Sequence, residues 1–248
     1  VRVFSSDSAT AKKHKTPQLK IADGMHRITW DLTYEGPTFV DGTIIWGYTG
    51  GVKAPPGIYE ARLVYEGGSM TQKIEVKEDP RIEDQISKED YQEQLKLGLQ
   101  IRDAITEVHS SIAEIRSVKK QVKWLTEQSD DDEVKDTAKK ILDELTSYEE
   151  QLMQTKNESG QDPIRFAPRL DNQLVENYNY VTGPDGYISG GREGRPNKAA
   201  YDRWNDLDKE WMEMKEKVQE SLKRNVETFN TLIQKKKMLG VKLKSAKS

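Results

Sequence analysis

The sequence predicts an α+β chain built as two separate domains, a small β-sandwich followed by an elongated antiparallel helical bundle with coiled-coil character. Three observations predict it. Up to Asp79-Pro80 the apolar residues alternate and turn residues break the chain every few positions, the two-residue period of strands with one buried face. Beyond that point apolar residues recur at steps of three and four along four segments, the period of helices with one buried stripe. Composition is the third: 34% hydrophobic against 33% charged residues is lean for a globular domain, and slender helices tolerate it because each buries only a narrow stripe.

The β portion spans residues 1–79. Val1-Arg2-Val3-Phe4 alternates and looks like a strand already under way, so the sequence predicts a fragment cut inside a domain. Ser5 to Pro17 is polar and is expected to be an exposed loop. From Gly24 to Leu32 the residues His26, Ile28, Trp30 and Leu32 form one face, expected to point inward. Thr43-Ile44-Ile45-Trp46 is a further short apolar run. Ala54-Pro55-Pro56-Gly57 is a stiff turn feeding Ile58 to Tyr65, Glu66 to Ser69 is a hairpin loop, and Met70 to Val76 is the returning strand. Short strands at this spacing, with turn residues between them, predict a sandwich.

The helical portion spans residues 80–238. Ser87 with Asp90 three residues later has the form of a capping box. The helix it opens carries Tyr91, Leu95, Ile101, Ile105, Val108, Ile112, Ile115, Val118, Val122 and Leu125, and Gly98 in the one gap of the stripe admits a close neighbour. Asp130-Asp131-Asp132 lacks the glycine and the terminal acid of a calcium loop. It suits an acidic helix start instead. That second helix carries Val134, Ala138, Ile141, Leu145, Tyr148 and Leu152 in heptad steps, and its short link to the first makes the two antiparallel neighbours. A polar linker from Asn157 to Pro168 precedes a third, shorter helix with Leu170, Leu174, Tyr178 and Val181. A glycine-rich loop at 183–195 follows; it lacks the Gly-Lys-Ser/Thr ending of a phosphate-binding loop. Pro196 suits a first helical turn, and the fourth helix carries Trp204, Leu207, Trp211, Met214, Val218, Leu222, Val226, Phe229 and Ile233. Residues 239–248 are expected to be a basic flexible tail.

These features exclude several function classes. A net charge of −3 gives no overall attraction for nucleic acid. With no cysteine there is neither disulfide nor thiolate chemistry. No run approaches the ~18 apolar residues of a membrane helix, so the chain is not expected to span one. His14, His26 and His109 fall in a loop, a strand and a helix, without a matching nucleophile motif or metal-ligand spacing. No catalytic residue, metal or cofactor is therefore assigned. The candidate partner contacts are Trp46, beside Gly47, and three residues of the glycine-rich loop, Tyr187, Arg192 and Arg195.

Several runs resemble one family. Ile28-Thr29-Trp30-Asp31-Leu32-Thr33-Tyr34, Ile45-Trp46-Gly47 and Ala54-Pro55-Pro56-Gly57-Ile58-Tyr59 are similar to a block in bacterial secreted proteins with sortilin-like (VPS10-like) β-propellers of BNR repeats, often labelled glycosyl hydrolases. Asp79-Pro80-Arg81, Gln100-Ile101-Arg102-Asp103, Leu170-Asp171-Asn172-Gln173-Leu174, Ala200-Tyr201 to Leu207, and Phe229-Asn230-Thr231-Leu232 are similar to the tail of the same proteins. The resemblance implies that the sandwich is immunoglobulin-like and that a propeller precedes it. It also implies a secreted, periplasmic or cell-surface location. The family's centre lies in the propeller, and no Ser-x-Asp-x-Gly-x-x-Trp motif occurs in this chain, so no active-site residue carries over.

The resulting expectation is a non-catalytic structural and protein-interaction region. Its partner would be the propeller of the same polypeptide or another envelope or secreted protein. The alternative is a carbohydrate-binding accessory module with a glycan partner; it needs coplanar exposed aromatics, and the in-phase placement of Trp30 argues against it.

Overall fold

A computed structural model describes residues 1–82, 85–183 and 193–237. Its elements in chain order are α1 (Ser8–Lys13), β1 (Gly57–Tyr65), β2 (Gly68–Val76), α2 (Lys88–Glu127), α3 (Asp132–Leu152), α4 (Leu170–Thr182) and α5 (Lys198–Lys235). The fold is mainly helical, and its one sheet among the described residues is the antiparallel pair β1–β2. The predicted immunoglobulin-like β-sandwich over residues 1–79 is therefore corrected, since a sandwich needs two sheets.

Where the expected strands went has a local explanation in each case. Val1 to Phe4 forms no strand, and the polar stretch after it contains α1, capped by Asp7 accepting from the Thr10 N–H. In the Gly24–Leu32 run, His26 bonds the carbonyl of Ala22 at 2.6 Å and the Trp30 indole N–H donates to the Thr33 carbonyl at 2.9 Å. Leu32 sits at φ 57°, a left-handed geometry that breaks a strand. Ile28 and Leu32 are exposed rather than inward. What survives of pairing there is one isolated bridge, Thr33 to Lys53.

The Thr43–Trp46 run belongs to a strap, Thr38–Gly47, whose backbone groups are met by helix and linker side chains instead of a neighbouring strand. Thr106 Oγ1 accepts from the Thr38 N–H at 3.1 Å and His109 Nδ1 from the Val40 N–H at 3.4 Å. Arg116 donates to the Asp41 carbonyl at 3.1 Å, Asn157 to that of Ile44 at 3.2 Å and Asn172 to that of Trp46 at 3.2 Å. The strap's end is sterically defined: a Cβ on Gly47, at φ 119°, would stand 2.6 Å from Val175 Cγ1. Buried backbone polar groups need partners from some source, and side chains supply them here.

The helices follow the sequence closely. Ser87 Oγ accepts from the Asp90 N–H at 3.1 Å while the Asp90 carboxylate accepts from the Ser87 N–H at 3.1 Å, a reciprocal capping box. Asp131 caps α3 by accepting from Glu133 and Val134 N–H groups. Asn197 accepts from the Ala200 N–H at 3.0 Å at the start of α5, so Pro196 precedes the cap instead of standing in the first turn. Two positions differ in phase. Leu97 is buried where Leu95 is only half-buried, and Glu149 is buried where Tyr148 is half-buried.

The chain forms two compact units. The first comprises Val1–Pro37, Tyr48–Arg102 and Tyr178–Tyr201; the second comprises Thr38–Gly47, Asp103–Asn177 and Asp202 onward. In the first, Val52, Ala54, Leu97, Ile101 and Tyr178 are buried, Tyr48 stacks on Tyr178 and the Tyr178 hydroxyl donates to the Gly50 carbonyl at 2.8 Å. Gly98 allows the close approach its gap predicts, since a Cβ there would lie 2.7 Å from Thr182 Cγ2 and 3.0 Å from Val52 Cγ2.

The second unit is a helical bundle with Ile105, Val108, Ile112, Val134, Leu145, Trp211 and Phe229 in its core. α5 runs antiparallel to α3. Lys236 pairs with Asp131 at 2.5 Å and Glu133 at 3.1 Å near the α3 start. Further along, Glu144 accepts from Ser221 at 2.7 Å and Asn225 at 3.2 Å. Those bonds to Lys236 give one of the C-terminal lysines a structural partner; the predicted tail at 239–248 lies outside the described residues.

Candidate functional site

Of the four residues nominated from sequence, two lie within the described residues and belong to different units. Tyr187 and Arg192 lie outside the described residues. Arg195 is held in the first unit by an ion pair to Asp90 Oδ1 at 2.7 Å. Trp46 belongs to the second unit, half-buried, with its indole N–H donated to the Gly160 carbonyl. Trp30 is half-buried too, edge-on to Tyr59 at 5.4 Å between ring centres. Each indole N–H is engaged by a backbone carbonyl of its own unit.

The most unusual surface is the β1–β2 hairpin. Its register pairs Tyr59 with Ile74, Leu63 with Met70 and Tyr65 with Gly68, closing on the two-residue loop Glu66-Gly67. Directly opposed residues share a face, so Tyr59, Ala61, Leu63, Tyr65, Met70, Gln72, Ile74 and Val76 lie on one side, while Ile58, Glu60, Arg62, Val64, Thr71, Lys73 and Glu75 lie on the other. The ribbon is thus amphipathic. Its base is anchored: Val76 is buried, Tyr59 packs on Trp30, and the Tyr59 hydroxyl donates to the Pro55 carbonyl at 2.7 Å. Towards the tip the apolar face is bare, with Leu63 58% and Met70 65% exposed beside exposed Tyr65. An isolated two-stranded ribbon is marginal in water, and an uncovered apolar sheet face marks a contact surface.

Sequence reasoning had this hairpin and its alternation but assigned the apolar face to a core. It missed a second surface altogether. On α2, Arg116, Lys119, Lys120, Lys123 and Trp124 line an open hollow of about 570 Å³, with Glu149 contributed by α3. The Glu149 carboxylate accepts from Arg116 Nε at 2.6 Å and Lys119 Nζ at 2.8 Å. Burial opposes its charge, but these two cations outweigh that and hold its pKa below the ordinary value. Trp124 was legible in principle, because it stands between Val122 and Leu125 of the inward stripe and so falls on another face of the helix.

Two further clusters are buried. His109 and Asp171 lie inside the second unit, 1% and 4% exposed, with Nε2 and Oδ2 3.8 Å apart. Phe39 packs edge-on to the imidazole at 4.8 Å. Because His109 Nδ1 accepts from Val40, the neutral ring carries its proton on Nε2, facing Asp171. Burial pushes the Asp171 carboxyl up to about 7, opposed by the hydrogen bond from the Asn172 N–H at 2.6 Å. In the first unit a cleft of about 440 Å³ is lined by Lys53, Pro55, Asp79, Arg81, Tyr91 and Glu193 among others. Two of its ion pairs are Lys53 to Glu193 at 2.6 Å and Arg81 to Asp79 at 2.5 Å.

His14 bonds Glu35 at 2.5 Å, so each of the three histidines has its own partner or neighbours. Among the described residues no group of three or more His, Asp or Glu side chains is arranged to hold a metal ion, and no helix is long and apolar enough to cross a membrane. No family model, curated protein or solved structure matches the chain. The likeness to sortilin-like, BNR-repeat proteins therefore rests on its sequence motifs alone, and the immunoglobulin-like sandwich it implied is absent among the described residues.

Proposed function

We propose that this chain is a non-catalytic structural and protein-interaction region of a larger secreted protein, which joins a preceding propeller to a partner or to the cell envelope. The observation that supports this reading is the hairpin: an amphipathic ribbon anchored at its base, with Leu63, Tyr65 and Met70 bare at its tip. Burying such side chains against a partner contributes roughly 25 cal/mol per Å² of apolar surface, a gain the isolated chain forgoes. The partner that fits is a protein with an apolar surface of its own, either the propeller of the same polypeptide or another envelope or secreted protein. The hairpin carries Leu63, Tyr65 and Met70 exposed close together, and the helices expose Trp124, Tyr180 and Met212. The carbohydrate alternative draws no support from Trp30 or Trp46, whose rings are engaged as described.

The test is capture from an extract of secreted and envelope proteins by the immobilised full chain, with a glycan array probed in parallel. The comparison variant is Leu63→Lys combined with Met70→Lys. Both positions are exposed, so folding is expected to change by no more than about 0.5 kcal/mol each. A specific protein captured by the native chain and lost with the variant is the expected result. Equal capture by both chains, or glycan binding alone, would overturn the reading.

A further inference from the structure

We propose that the hollow around Trp124 on α2 is a docking site for a short acidic segment of a partner protein, in which an aromatic or aliphatic side chain stands beside carboxylates. The inference rests on the interaction-module reading but uses a different surface, which belongs to the second unit alone.

Three observations carry it. Trp124 is 56% exposed, whereas Trp204 and Trp211 are buried. The bundle does not use its ring as core, and an exposed tryptophan flanked by a cavity is the kind of side chain that anchors interfaces. The charge around it is predominantly positive. Arg116, Lys119, Lys120 and Lys123 face only Glu127 and Glu149 across the hollow. Glu149 is already bound by Arg116 and Lys119, while Lys120 and Lys123 form no ion pair among the described residues. The positive excess is local, because the chain as a whole carries −3, so charge complementarity selects an anionic occupant.

The third observation is the length of the site, and it selects among anions. Arg116 to Glu127 spans roughly 16 Å of helix at 1.5 Å per residue. Immediately beyond stand Asp130, Asp131 and Asp132. Asp131 is paired with Lys236 and Asp130 with Lys135 at 3.7 Å, but Asp130 is fully exposed, where pairing screens little, and Asp132 is exposed too. An extended polyanion such as RNA, or the face of an anionic membrane, would run from the hollow onto this acidic turn within about one or two Debye lengths. A short peptide ends before reaching it. Its apolar side chain lies on Trp124 and its carboxylates reach Lys120 and Lys123, which have rotamer freedom to meet them.

The experiment uses the full chain and a random peptide library displayed on phage. Selection on the native chain is compared with selection on Trp124→Ala and on Lys120→Gln/Lys123→Gln, each first checked for native helicity and melting. The expected result is enrichment, on the native chain only, of peptides combining Asp or Glu with an aromatic or aliphatic residue. One enriched peptide, labelled with fluorescein, should bind at least tenfold more weakly to either variant and should lose affinity as salt is raised. Enrichment unchanged by both variants, or enrichment of neutral or basic peptides, would overturn the proposal. So would displacement of the peptide by polyuridine RNA or by phosphatidylserine vesicles at lower concentration than by unlabelled peptide. The Leu63→Lys/Met70→Lys chain separates the two readings. Peptide binding retained by that chain while partner capture is lost supports both surfaces independently. Partner capture sensitive to the hairpin with no peptide selected on Trp124 sinks this inference and leaves the hairpin reading intact.

Discussion

Replacing Asp171 by Asn should make the folded protein's stability less dependent on pH, with the difference growing from acid to neutral conditions. Asp171 sits in the first turn of α4, 4% exposed, with one oxygen accepting from the Asn172 N–H and the other 3.8 Å from His109. Burial dominates that hydrogen bond and lifts the carboxyl to about 7. In the unfolded chain it titrates near the ordinary aspartate value of about 4. Between those values the native state keeps a proton that the unfolded state has released, so stability is full below about pH 4 and is lost as pH rises towards 7. Three units at about 1.4 kcal/mol each amount to a loss of ~4 kcal/mol. That is a ceiling, because relaxation around the ionised carboxylate would lower its cost. The amide of Asn is neutral throughout, close in shape to the protonated acid, and keeps an oxygen for the Asn172 N–H. Urea unfolding followed by far-ultraviolet circular dichroism at pH 4.5, 6 and 7.5 measures the effect. The native chain and the variant should agree to within about 1 kcal/mol at the lowest pH, with the variant the more stable by up to ~4 kcal/mol at the highest. Parallel stability curves for the two proteins would refute the argument, since every other titrating group is common to both.

Three other substitutions test the packing. Gly98→Ala sets a helix-propensity gain of about 1 kcal/mol against overpacking of about 1–3 kcal/mol, because the new methyl would press on Thr182 and Val52; a lowered melting temperature is expected, and a raised one would show that α2 has room there. Ile105→Asp buries an unpaired charge at a position with no exposed surface and should unfold the bundle at a cost above ~4 kcal/mol; normal helicity in that variant would refute the core assignment. Ser87→Ala removes half of the capping box at the start of α2 and should cost about 1 kcal/mol in urea unfolding, whereas no change would mean that the first turn frays in the native chain.

The helices were legible because each criterion for them is local. Ser87 and Asp90 announce a start, Asp131 caps the next, and the stripe from Ile101 to Leu125 names its own buried face. The exceptions involve partners distant in sequence. Glu149 replaces Tyr148 in the interior because Arg116 and Lys119, some thirty residues earlier in the chain, neutralise it, and no periodicity rule sees that. The strap at Thr38–Gly47 failed for the same reason. Its apolar run looks like a strand, yet its backbone donors and acceptors are satisfied by Thr106, His109, Arg116, Asn157 and Asn172, all more than sixty residues away.

The hairpin exposes a different limit, and it bears directly on function. Alternation along Tyr59, Ala61, Leu63 and Tyr65 states that one face avoids water; it does not state what covers that face. A strand facing its own core and a strand facing a partner carry the same pattern. What separates them is the anchoring of the ribbon. Trp30, Pro55 and the burial of Val76 fix its base, so the tip can keep its register through nine paired positions with Leu63 and Met70 left largely exposed. Exposed apolar side chains cost solubility and invite edge-to-edge association, and the opposite face sets the charges Glu60, Arg62, Lys73 and Glu75 beside exposed Ile58 and Val64. A ribbon with its charges confined to one face, anchored at its root and exposing Leu63 and Met70 on the other, is what the proposed interaction role calls for. The same pattern that misdirected the sandwich prediction therefore supports the proposed interaction role.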